Sequence, residues 1–180
     1  MKKTLAVLLA LMTVLTLGLT AVAEQPAAPA ETDAPAFTGG VQFNMDMEQV
    51  MQLISQPHHE IDREHHKDIE FYELEYKRMD VGNGFTADVT FSFVGNGLVA
   101  IHFDMKKPAD YNTVKETLAS QYGKVVPFDR AKIGNARYVV GDLEDCREMI
   151  EAEGFIIVLE RDDDDVEVTI LDPTAAYVNN

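Results

Sequence analysis

Four of the five histidines fall within nine residues, at His58, His59, His65 and His66. Glu60, Asp62 and Glu64 lie among them, and Asp68 follows. Imidazole and carboxylate groups together suit zinc, copper or nickel. On a helix, His58, Asp62, His65 and His66 would share one face, and two or three of them could meet a single ion. The four histidines are therefore the candidate ligands of a Zn or Cu site. The competing reading is a solvated polar connector, since the spacing matches no established metal-site pattern. A surface that responds to pH is a third reading, because histidine titrates near pH ~6.5.

Other chemistries lack their parts. Asp162 to Asp165 are four consecutive acids. A calcium loop needs alternating ligands and a turn glycine, so this run reads as a charged hairpin tip that discourages aggregation of the apolar strands beside it. No Gly-x-Ser-x-Gly nucleophile turn occurs. Cys146, the only cysteine, is expected in an acidic helix that disfavours a thiolate, and a buried, apolar role suits it better. It cannot form a disulfide within the chain. The glycine turns Gly82–Gly84 and Gly95–Gly97 have neither the lysine nor the following helix of a phosphate loop. The expectation is a protein that is not an enzyme.

The elements that would position such residues follow from hydrophobic periodicity. Met47, Val50, Met51 and Ile54 form an apolar stripe, so Asp46 to Ser55 is expected to be a helix. Asp46 would cap it, with Gln49 completing a capping box and Pro57 ending it. His58 to Lys67 is polar and reads as irregular. From Ile69 to Met79, Tyr72, Leu74 and Tyr76 alternate with charged residues, as in a half-buried strand. Thr86 to Val94 and Leu98 to Met105 alternate likewise, joined by the Gly95-Asn96-Gly97 turn. Together they predict a three-stranded antiparallel meander.

A second helix is expected from Asp110 to Tyr122, stopped by Gly123. Ala136 to Val140 reads as a strand and Asp142 to Ala152 as a short helix. Phe155 to Glu160 and Val166 to Leu171 read as a hairpin. The fold class expected is α+β: an antiparallel sheet with helices on one face, whose element order reads as two diverged helix-plus-three-strand units, residues 41–107 and 108–175. Tyr72, Tyr76, Phe91, Phe93 and Phe103 are expected to form its core against the two helices.

The N-terminus carries a different signal. Lys2 and Lys3 precede the apolar run Leu5 to Leu19, and Ala21-Val22-Ala23 is a small-x-small cleavage site. This order is that of a secretory signal peptide over residues 1–23, cleaved near Ala23. The apolar run is short of the roughly 20 residues a membrane span needs, and no second such run follows. Residues 24–40, rich in Ala, Pro, Glu and Thr, read as a flexible tether, residues 41–175 as one domain, and 176–180 as a tail. The net charge of −16 would become more negative once Lys2 and Lys3 were removed. That charge repels phosphate backbones and anionic lipid, which argues against nucleic-acid binding, while it would attract a basic partner or divalent cations.

Part of the chain resembles a known group. Asn44-Met45-Asp46-Met47-Glu48-Gln49-Val50, then Leu53-Ile54 and Pro57, resembles the Gly-Met-Thr-x-x-x-Val…Leu-Leu-Gly-x-Pro helix of small outer-membrane assembly lipoproteins and β-lactamase inhibitor proteins. Leu74-Glu75-Tyr76 stands where those proteins have an aromatic strand. Val89 to Phe93, the Gly95-Asn96-Gly97 turn and Leu98 to Ile101 match their following hairpin. The similarity covers about a third of the chain; Asn44 stands in place of the family glycine, and there is no lipid-bearing cysteine. The chain also looks like small proteins secreted by Gram-positive bacteria. The resemblance implies an exported, non-enzymatic module that binds other proteins, often through the exposed face of its sheet. The sequence therefore leads to an extracytoplasmic interaction module (adaptor, inhibitor or envelope-assembly factor) with an unidentified protein partner. The alternative is a metal-binding protein using His58 to His66.

Overall fold

The computed structural model describes residues 39–66, 69–106, 109–133, 146–162 and 165–175. Ten elements follow one another: α1 (Met47–Leu53), β1 (Glu60–His66), β2 (Ile69–Gly82), β3 (Phe85–Val94), β4 (Gly97–Lys106), α2 (Tyr111–Tyr122), β5 (Val125–Pro127), β6 (Cys146–Ala152), β7 (Phe155–Asp162) and β8 (Asp165–Leu171). The strands form one sheet in the order β1-β2-β3-β4-β8-β7-β6-β5, antiparallel at every junction. Two meanders thus meet at their last strands, with β4 beside β8. This is the expected α+β class with an antiparallel sheet.

Alternation decides which side chains reach the core. Leu74 and Tyr76 of β2, Val89, Phe91 and Phe93 of β3, and Ile101, Phe103 and Met105 of β4 are buried together with Val50 and Ile54 of the α1 segment. Val114 and Leu118 of α2 join the same cluster, as do Ile157, Leu159, Val168 and Ile170 from the second meander. The expected aromatic core is realised, and Tyr76 meets Phe91 edge-on at 5.8 Å. Tyr72 is only partly buried at its margin.

Four features differ from the sequence reading. Within the segment expected to be irregular, Glu60 to His66 forms β1, the edge strand, while Lys67 lies outside the described residues. Among the described residues each helix is followed by four strands, not three, because β1 and β5 each precede a three-stranded run. The segment expected as a helix to Ala152 is instead β6 from Cys146, where Met149 and Ile150 go to opposite faces, as a strand requires. A second apolar cluster covers part of the face away from the helices: Val99, Ala100, Met149, Ile156, Val158 and Leu171 pack under Phe128 and Ile133. The strand expected at Ala136–Val140 lies outside the described residues, as do residues 1–38.

No helix among the described residues is long and apolar enough to cross a membrane.

Candidate binding cleft and metal-ligand cluster

Asn44 begins the local geometry. Its φ of 66° is left-handed, a conformation that asparagine tolerates better than most residues. The turn lets Asn44 donate its backbone N–H to the Leu98 carbonyl at 2.9 Å, while Leu98 donates to the Met45 carbonyl at 2.9 Å. The start of β4 thereby fixes where α1 begins. Asp46 accepts from the Gln49 amide at 2.8 Å, and the Gln49 side chain accepts from the Asp46 amide at 2.9 Å. The expected capping box is complete.

Seven residues of helix would not persist alone, so burial of Val50 and Ile54 holds α1 to the sheet. Met47 and Met51, on another flank of α1, are only partly buried against the same core. A cleft of about 480 Å³ opens there, with Met47, Met51, Ile61, Tyr72 and Phe93 as its apolar lining. Asp46 and Glu48 add acidic groups to the lining, and the Gly95-Asn96 turn contributes to it as well. Such a volume is in the range of ligand-binding clefts, and methionines adapt their shape to an occupant.

Polar contacts fix one wall. The Tyr72 hydroxyl donates to Glu70 at 2.9 Å, Arg63 pairs with the same carboxylate, and the Arg63 guanidinium lies 5.4 Å from the Tyr72 ring centre. The bond to Glu70 holds the Tyr72 phenol above its usual pKa, with burial acting in the same direction. Ile61, on β1, is 46% exposed beside this wall.

The four candidate histidines separate. His58 and His59 precede β1, and His65 and His66 end it. At about 3.3 Å per extended residue, His59 and His65 lie roughly 20 Å apart along the chain, so the helical convergence considered from the sequence does not occur. His59 instead meets Glu60 and Glu75, with one ligand atom of each within 4.8 Å of the others. Glu60 faces Glu75 across the β1–β2 ladder, and the His59 amide donates to the Glu75 carbonyl at 2.7 Å. Glu75 also pairs with Lys77. Sequence spacing could not reveal Glu75, which arrives from the neighbouring strand.

The face away from the helices carries two further polar groupings. Asp88 accepts from the Arg78 amide at 2.9 Å, at a bulge where Arg78 has φ 53°, and lies 3.4 Å from both Lys77 and Lys106. Burial pushes its carboxyl pKa up, but the amide and the two lysines outweigh burial and hold it below the ordinary value. At the junction of the meanders, His102 Nδ1 lies 3.0 Å from Thr169 Oγ1, and Nε2 lies 3.6 Å from Glu167. Burial pushes the His102 pKa down, against the opposing pull of Glu167 and Asp104.

Comparison with models of known protein families, with curated proteins and with solved structures found no match to this chain.

Proposed function

We propose that the chain is an exported, non-enzymatic module that recognises a basic protein partner through the cleft between α1 and the β1–β2 end of the sheet. The observation that carries this reading is the cleft itself. Its apolar lining of Met47, Met51, Ile61, Tyr72 and Phe93 can bury an anchor side chain, and Asp46 and Glu48 beside it can pair with basic groups. The overall charge of −16 would steer a cationic surface toward it. Export rests on the signal-peptide pattern of residues 1–23, and the partner is met in the cell envelope or the medium.

The test is capture from native envelope or medium with the wild-type domain and with the double variant Met47→Glu, Met51→Glu. A specific partner should be retained by the first and lost by the second. Recovery of nothing above background, or equal recovery by both, would count against the cleft.

A second reading is a transition-metal site, favoured by the meeting of His59, Glu60 and Glu75. One imidazole and two carboxylates suit Zn²⁺, with solvent completing its coordination. Zinc titration should then show binding that His59→Ala or Glu75→Gln weakens, while the double variant His65→Ala, His66→Ala leaves it unchanged. Equal loss in the second pair would return the site to the histidine run as a whole.

A further inference from the structure

We propose that β1 is a docking edge for an extended segment of another protein, one that alternates basic and apolar residues and adds to the sheet as a further strand. The proposal rests on the interaction reading above and specifies the partner's form and chemistry.

β1 ends the strand order, and among the described residues no strand pairs with its outer side. Such an edge offers a row of backbone donors and acceptors to an incoming chain. Specificity then comes from the two faces, because alternate side chains of an added strand go to opposite sides. The two faces beside β1 differ sharply. Toward the helices stands Ile61, half exposed and lining the cleft with Met47 and Met51. Apolar side chains of an added strand would extend that lining.

On the opposite face Glu60 is directly across from Glu75, and Asp62 from Glu73. Glu75 pairs with Lys77, whereas Glu60 and Asp62 stand exposed on the edge strand, where cations on an adjoining strand would pair with them. Lysine or arginine at alternate positions of the incoming segment would stand next to Glu60 and Asp62. The same acids argue against a second copy of this chain as the occupant. Two β1 edges brought together would add Glu60 and Asp62 of one protomer to those of its partner.

The test uses the folded domain and a labelled peptide as long as β1, seven residues, alternating lysine with valine. A control has the same composition, with its lysines and valines in two blocks. The alternating peptide should bind, slow amide exchange in β1, and lose affinity roughly tenfold or more to Ile61→Lys, as expected when one buried aliphatic contact is removed. The double variant Glu60→Lys, Asp62→Lys should weaken it similarly. All three positions are exposed, and unchanged amide protection in β3 and β4 would verify that the variants fold. Equal binding of the blocked peptide, or indifference to Ile61→Lys, would overturn the proposal. So would a dimer of the domain that Ile61→Lys disrupts.

Failure here is separable from failure of the broader reading. If Met47→Glu, Met51→Glu abolishes capture of the native partner while Glu60→Lys, Asp62→Lys does not, the cleft stands and strand addition falls, because Glu60 and Asp62 lie on the face away from the cleft.

Discussion

Asp88 shows how one carboxylate supports a strained stretch of backbone. The left-handed Arg78 interrupts the β2–β3 register between Tyr76 and Met79, and Asp88 receives the amide exposed there. Asp88→Ala should cost about 1–2 kcal/mol in denaturant unfolding, since it removes a charge-assisted acceptor. The folded-state pKa of Asp88 lies below its unfolded value. Its contribution is therefore complete above the unfolded pKa and disappears as pH falls through the folded one. His102 is also depressed, but it is a base. As pH falls below the ordinary imidazole value, the unfolded chain takes up the proton first, so stability declines. Thermal melts from pH 7 to pH 5 should fall more steeply for the wild type than for His102→Asn. Parallel profiles would show that His102 does not carry the slope.

At the scale of elements, α1 and α2 were legible because their caps and stripes are local. Asp46 with Gln49, and Asp110 accepting from the Thr113 amide at 3.1 Å, lie within one turn of the residues they serve. Asp46→Ala should cost about 1 kcal/mol by the loss of the N-cap, read as a lower denaturation midpoint. Under α2 the packing leaves a gap of about 20 Å³ lined by Phe103, Val114, Leu118 and Val168. Val114→Ile should fill part of it and raise stability by about 0.5–1 kcal/mol. An unchanged or lower melting temperature would mean that the pocket cannot admit the extra carbon. β1 was not legible because Ile61 is the only aliphatic residue in its polar run, too little to display a period of two. β6 failed for another reason: Met149 and Ile150 are adjacent, and only the two clusters on opposite faces of the sheet reveal that both are buried. The cleft was hidden in the same way. Its methionines were readable as a helical stripe, but the gap beside them depends on where β4 holds Asn44.

For the molecule as a whole, composition indicated the charge but not its distribution. Acid faces acid between β1 and β2, and again between β7 and β8 at Glu160 and Glu167, whereas Lys77 and Lys106 are drawn in around Asp88. Binding of the basic peptide should weaken severalfold or more between 0.05 and 0.5 M NaCl, because screening acts on exposed charges at distances of about 10 Å. Salt-independent binding would mean that apolar contacts alone hold it. Fold class was legible because the alternation of β2, β3, β4, β7 and β8 leaves few options. The mirrored strand order was not, since nothing local to β4 or β8 says that they are neighbours.

That adjacency has a consequence during synthesis. β8 leaves the ribosome after the other seven described strands, yet it sits at the centre of the sheet. Until it arrives, β4 and β7 each present a raw, largely apolar margin. A nascent or truncated chain ending before Asp165 would be sticky on two flanks at once, and β8 acts as the keystone that seals both.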